Sequence, residues 1–407
     1  MTMERAPHSR RISVQVIGER QLERAQSSFA IRRVPRAAMR TVIGGMVRPR
    51  SGDVVLASVA RLGQHRKIER PDGRRATLHI GDEILVAYAD RYAPDQYESH
   101  VPDDLRRTQL VASGGIASAA LSRCLDVRLA TDLLPIGLIG DERGRPLNVA
   151  DFALEPVHPN RERPLTVAVI GTSMNSGKTT TIHFMVHGLS RAGVRAGVTK
   201  VTGTGSGGDY WVMIDAGAHR MLDFTDGGLA STYRQPMSLI SKTFLELLDH
   251  LSDSGTDVNF VEVADGIYQQ ETSRMIESET FRSSVDVVLF AAGDAMGATA
   301  GVTHLRGLGL NVAAVSGRIT RSPLATREVQ AALGMPVLGL AELDDPVAVS
   351  ALIGLPTAVL DQRAPAPAIP WPATVPSMEQ AGSPVGPIAD AAILAEEHTV
   401  VQMTEQR

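Results

Sequence analysis

The sequence predicts a doubly wound, mainly parallel α/β sheet built on a phosphate-binding loop, preceded by a smaller β-rich, barrel-like N-terminal domain. Three observations carry this. The β-branched run Thr166–Ile170 breaks into the glycine-bounded loop Gly171–Thr179 and then into the helical pattern Ile182–Leu189. From about 165 to 357 buried strand runs alternate with helical patterns. Between about 41 and 100, short alternating runs are separated by Pro71-Asp72-Gly73 and Gly81-Asp82 turns.

The loop fits G-x-x-x-x-G-K-[ST] in its strand-loop-helix setting. Gly171 and Gly177 let backbone wrap a polyphosphate. The amides of Asn175, Ser176, Gly177, Lys178, Thr179 and Thr180 then face anions at a helix N-terminus. Lys178 is placed to reach the β- and γ-phosphates, and the Thr179 hydroxyl to ligate Mg²⁺. A nucleoside triphosphate is the expected ligand.

Composition narrows the alternatives. The chain has 407 residues, enough for two domains with separate cores. A net charge of -4 exerts no general pull on nucleic acid or anionic membrane. The single cysteine, Cys124, excludes an internal disulfide and is expected buried in an apolar helical segment. No apolar run approaches the ~20 residues of a membrane span, and no secretory signal opens the chain, so a cytoplasmic protein is expected.

In chain order, residues 1–40 read as a basic leader, with nine arginines against three acids. No aromatic residues interleave for base stacking, so solvated or acid-paired arginines are expected rather than a nucleic-acid arm. Residues 41–160 form the β-rich domain, with strands at Asp53–Val59, Ala76–Ile80 and Glu83–Tyr88. The polar, aromatic stretch Asp90–Tyr97 reads as a barrel-closing connection or a substrate-contacting loop. Ser113–Leu121 suggests a glycine turn opening a helix, and Leu133–Ile139 a strand within a short α/β segment. Pro156–Pro164 is the expected linker. In the nucleotide domain, 165–357, strands are expected at Thr166–Ile170, Val194–Lys200, Val258–Val263, Val285–Ala291, Asn311–Val315 and Met335–Leu340. Residues 361–407 form a Pro/Ala-rich tail expected to be flexible, with a short helical pattern at Ile388–Glu397.

Chemistry is expected at the carboxyl ends of the strands. Lys200, one of four lysines, ends the second strand, where it can neutralise a transferring phosphate. The glycine-rich run behind it, 203–208, is expected to be mobile and to close over substrate. Asp209, and less firmly Asp215 and Asp223, are candidates to hold Mg²⁺ or an amine. Glu262 or Asp265 at the third strand end can hold the metal or orient the attacking group. Arg318 ends the fifth strand, where nucleobase recognition often lies, and His304 is at least as readily a packing residue as a catalytic one.

With these residues in place, residues 165–350 resemble the dethiobiotin synthetase group of SIMIBI-class P-loop proteins. The resemblance lies in Gly171–Thr179, Lys200, Val261–Gly266, Leu289–Gly301 with His304, and Val315–Ile319. It implies Mg·ATP on Lys178 and Thr179, metal help from Glu262 and an aspartate near 209, Lys200 at the transferring phosphate, and a homodimer. Asp265 and the long segment 203–236 depart from that family, so a substrate other than the biotin precursor is expected. The overall plan is also similar to two-domain P-loop proteins that include D-amino-acid N-acetyltransferases.

The leading expectation is therefore an ATP-dependent kinase or ligase-type enzyme acting on a small molecule, catalytic through Lys178, Lys200, Asp209 and Glu262, with Mg²⁺ held by Thr179, Asp209 and Glu262. A nucleotide-dependent switch or delivery protein, and an N-acyltransferase acting on an amino acid, are the two alternatives.

Overall fold

In the computed structural model, which describes residues 11–356 and Val359, the chain folds around two sheets. The first takes its strands from β1 (Ser13–Val16), β2 (Gln26–Ser27), β3 (Thr41–Gly44) and β4 (Val54–Arg61). It continues, past the separate hairpin β5 (Lys67–Glu69) and β6 (Arg75–Thr77), with β7 (Glu83–Tyr88), β8 (Arg91–Tyr92), β9 (Tyr97–His100), β10 (Thr108–Ala112), β11 (Ile116–Arg123) and β12 (Thr131–Gly140). A short helix α1 (Glu19–Arg24) follows β1. Strand β12 pairs with β4, β4 with β7, β7 with β11, β11 with β10, and β10 returns to β12. Five of its strands thus close into a ring in which none is left as an edge.

Alternation explains why β4 belongs inside this sheet. Val55, Ala57 and Val59 enter one apolar cluster while Val54 and Leu56 enter another, so both faces are covered. Each such fully buried aliphatic side chain contributes about 1.5–3 kcal/mol. The run Ser113–Leu121, expected to be helical, is instead the tight β10–β11 hairpin. Gly115 at φ +101° makes the turn, and the small residues after it alternate across a strand. Cys124 accordingly follows β11 in a turn and is half-buried, not helical.

The second sheet is wholly parallel, in the order β15-β14-β16-β13-β17-β18. Its strands are β13 (Leu165–Gly171), β14 (Ala196–Lys200), β15 (Arg220–Asp223), β16 (Val258–Glu262), β17 (Val287–Ala291) and β18 (Val312–Ser316). Helices cover both faces, α2 (Lys178–Arg191) and α3 (Gly207–Asp215) on one, α4 (Met237–Asp253) on the other. Also packed there are α5 (Gln270–Ile276), α6 (Glu279–Arg282), α7 (Ala295–Gly307), α8 (Pro323–Leu333), α9 (Leu340–Leu343) and α10 (Pro346–Ile353). Ala168 and Ile170 of β13 point to the α4 side, Val167 and Val169 to the α2 side.

Two strand expectations change. Met335–Leu340 is not a strand: Pro336 has no N–H to give, and only a single bridge, Val337 to Val315, forms. At the opposite edge the sheet gains β15, inside the segment 203–236 for which no strand was expected. The arginine-rich N-terminal stretch contributes β1, which pairs with β3, and carries Arg32 into a buried contact with Asp223 and Asp226. The helical pattern at Ile388–Glu397 and the tail 361–407 lie outside the described residues. Among the described residues no helix is long and apolar enough to cross a membrane.

Candidate active site

Strand register builds the site. Lys200 pairs with Glu262 across β14 and β16, and both end their strands beside the loop that follows β13. Gly171 stands opposite Ala291, and Ala291 opposite Ser316. The loop closes on itself so tightly that a Cβ on Gly171 would lie 2.3 Å from Ser176 Oγ. Gly177 takes φ +109° immediately before α2, a conformation that favours glycine. The first-turn amides of α2 have no intrahelical partner, and Lys178, Thr179 and Thr180 line a cavity there.

Lys178 Nζ donates to the carbonyls of Ser173 at 2.8 Å and Asp265 at 2.6 Å. Burial lowers its pKa, and Glu262 and Asp265 pull it back up. Lys200 Nζ contacts Asp209 and stands 3.4 Å from Glu262 Oε1. For Lys200 the order of effects reverses in outcome: burial lowers the pKa, but Asp209 and Glu262 outweigh it and raise it. Asp265 is raised, chiefly by burial, against the attraction of Lys200, Lys178 and Arg91. Two fixed ammonium groups and three acids therefore meet at adjacent strand ends.

These groups open into a cavity of about 530 Å³, within the range of small-molecule sites. Six cationic side chains line it against four acidic ones, so it suits an anionic occupant. Its other wall comes from the N-terminal half: Glu69 and Arg75 of the β5–β6 hairpin, Arg91 and Tyr92 of β8, and His65 and Gln96 from loops. The connection Asp90–Tyr97 is a hairpin, and its Asp95 Oδ2 accepts from Asn175 Nδ2 at 2.7 Å, holding Asn175 at φ +59°.

Lys178, Thr179, Lys200, Asp209, Glu262 and Arg318 all border this cavity, with Asn175, Gly177 and Thr180. Gly171 and Ser176 shape the loop from behind, and Ser176 O accepts from the Arg318 amide at 2.9 Å. Asp215 and Asp223 are not brought there. Asp215 ends α3 exposed, while Asp223 is buried on Arg32, its Oδ1 accepting from Arg32 Nη2 at 3.1 Å and the Thr225 amide at 2.8 Å. The expected mobile glycine run is partly helical, since α3 starts at Gly207 and fixes Asp209 in its first turn. His304 packs toward Tyr268 at 6.4 Å, outside the cavity lining.

Asp265, Arg91 and Glu69 were not singled out for the site from sequence, apart from Asp265 as an alternative to Glu262. The polar, aromatic character of 90–97 was the signal for Arg91. Glu69 and Arg75 carried none, because a two-stranded hairpin far away in sequence delivers them.

Among the described residues no group of three or more His, Cys, Asp or Glu side chains is placed to hold a metal alone. That donor set fits a cation shared with phosphates, for which one or two protein oxygens suffice. Thr179, Glu262 and Asp209 are the available oxygens, two of them already engaged by Lys200.

No protein-family model matches the chain, and no curated protein matches it. Among solved structures, it is similar to the signal recognition particle 54 kDa protein of Aeropyrum pernix K1 in complex with GDP. That match has 18% identity and a TM-score of 0.32, and covers 50% of this chain and 49% of that one. It is also similar to chloroplast FtsY of Physcomitrella patens, at 13% identity and TM-score 0.33, covering 50% and 70%. The kinase domain of the Escherichia coli tyrosine kinase ETK gives 11% identity and TM-score 0.28, covering 38% and 67%. The chain spans about half the length of the first of these.

Proposed function

We propose that the chain is a nucleotide-dependent phosphoryl-transfer enzyme of the kinase or ligase type, with ATP as donor and a small molecule as acceptor. One observation carries this: Lys178 and Lys200 are both held at the end of the parallel sheet, facing a cavity whose opposite wall is the N-terminal barrel. A wall there encloses space for an acceptor beside the phosphates, which a hydrolytic switch does not require.

The chemistry then follows from position. The loop amides and Lys178 hold the β- and γ-phosphates, exchanging the carbonyls of Ser173 and Asp265 for phosphate oxygens. Mg²⁺, when bound, neutralises charge on the phosphates, with Thr179 and Glu262, and Asp209 when released by Lys200, as protein oxygens. An acceptor oxygen attacks the γ-phosphorus, the bond to the β-phosphate oxygen breaks, and Lys200 neutralises charge on the transferring group. Arg318, which follows Gly317 and borders the same cavity, is our candidate for the base or ribose side.

Isothermal titration with MgATP, MgGTP and acetyl-coenzyme A tests this directly. Binding of MgATP, and loss of turnover in Lys200→Ala with MgATP still bound, is expected. Tight acetyl-coenzyme A binding without nucleotide binding would transfer the site to acyl transfer, and GTP hydrolysis needing only a partner protein would make it a switch.

A further inference from the structure

Arg91 lies on the wall facing the phosphate loop and has a requirement that the chain's own groups do not meet. It borders the cavity and is 6% exposed. Nη2 donates to Gln96 Oε1 at 3.0 Å, but Nε and Nη1 are buried and have no hydrogen-bond acceptor among the described residues. The nearby carboxylates do not serve. Glu69 already accepts from Arg75 Nη2, Ser113 Oγ and the Gly207 amide, at 3.0, 3.0 and 2.8 Å. Asp265 attracts Arg91 through space without a hydrogen bond. His65 does not serve either: its Nε2 donates to the Val111 carbonyl at 2.9 Å, and its other ring nitrogen accepts nothing from Arg91.

A buried guanidinium with unmet donors costs free energy, and an anionic ligand removes that cost. Burial lowers the Arg91 pKa to about 10, against the pull of Asp265, which leaves it cationic at neutral pH. Asp265, Lys178 and Lys200 stand on the same cavity, so an anion on Arg91 is held across from the phosphate site. The nearby Asp265 carboxylate disfavours a doubly charged group there, and favours a single carboxylate over a second phosphate.

We infer that Arg91 is the anchor for a carboxylate on the acceptor substrate, so that the cavity takes a small carboxylic acid between the barrel and the phosphate loop. That this carboxylate belongs to an acceptor rests on the phosphoryl-transfer reading; binding of the anion itself needs no nucleotide.

The full-length protein is assayed by thermal shift and calorimetry against propionate, succinate and alanine. Each is set beside its primary amide, with inorganic phosphate as the competing anion, with and without MgATP. At least one acid should stabilise the protein where its amide does not. Arg91→Gln should weaken that acid by between about 10- and 100-fold, with the MgATP Kd unchanged. Arg91→Lys, which keeps the charge and loses the fork, should recover part of the affinity. Equal response to acid and amide, no response to any acid, preference for phosphate over every acid, or an unchanged Arg91→Gln overturns the assignment. The acid-over-amide preference of the unaltered protein decides the matter even if Arg91→Gln fails to fold. Failure to bind MgATP while the acid preference persists would count against the phosphoryl-transfer reading and not against Arg91.

Discussion

Lys200 Nζ lies 3.4 Å from Glu262 Oε1, and strand register puts it there: the two residues are paired across β14 and β16 at the last position of each strand. Their side chains are 12% and 5% exposed, so Lys200 stands in for water at Glu262, while Lys200 itself is held first by Asp209 and second by Glu262. Removing the cation leaves Glu262, Asp209 and Asp265 crowded, with Lys178 and Arg91 left nearby to offset them. Lys200→Met should therefore cost about 3 kcal/mol in denaturant unfolding, besides lowering turnover by on the order of 100-fold. Adding Glu262→Gln should return part of the stability and none of the turnover. A double variant no more stable than Lys200→Met would show that the pair is not coupled.

Lys178 responds differently, because its partners are backbone carbonyls. Without nucleotide, Lys178→Ala removes two hydrogen bonds and relieves a buried charge, so stability should change by less than about 1 kcal/mol. The MgATP Kd should rise by on the order of 100-fold. Calorimetry and urea unfolding on one preparation separate the two effects, and a large stability loss with intact nucleotide affinity would contradict the assignment.

The sequence made legible those parts of the site that are local. Gly171–Thr179 is contiguous, and Lys200 and Glu262 each end an apolar run, so the strand-end rule found all of them. What stayed hidden depends on pairings between distant segments. Asp209 and Asp223 look alike as acids among glycines, yet Arg32, nearly two hundred residues away, captures Asp223 and leaves Asp209 to Lys200. Ser113–Leu121 reads as helix or strand because its small residues fit either period, and its pairing with β10 and β9 decides. The barrel was legible from its turn-bounded strands, and 90–97 offered a substrate-contacting loop as one of two readings, but nothing local put Glu69 at the phosphate cavity, since no local pattern encodes which hairpin of one domain faces another.

His65 should make stability fall in acid. Burial, and secondarily Arg91, lower its pKa from 6.5 to about 4 in the folded chain, so the unfolded chain binds the proton more readily. Stability from this group is complete above about pH 6.5 and declines as the pH falls toward 4, by on the order of 3 kcal/mol in all. His65→Gln should flatten that part of the stability profile measured by urea unfolding. An equally steep decline in the variant would assign the acid sensitivity to other groups.

The seam between barrel and nucleotide domain is tight enough to test with one methyl group. A Cβ on Gly114, in the β10–β11 turn, would lie 2.0 Å from Gly205 O and 2.9 Å from its carbonyl carbon, and these are backbone atoms with little freedom to yield. Gly205 also lines the cavity, so the clash reaches the site directly. Gly114→Ala should therefore cost about 2 kcal/mol and lower turnover, by separating the barrel wall from the loop behind Lys200. Gly293→Ala is the matched control, because a Cβ there meets nothing within 4 Å. If both substitutions shift the urea midpoint equally, the barrel does not depend on this contact, and the wall opposite the phosphates is held by others, the Arg32, Asp95 and Glu69 contacts and the Arg234–Asp90 pair among them.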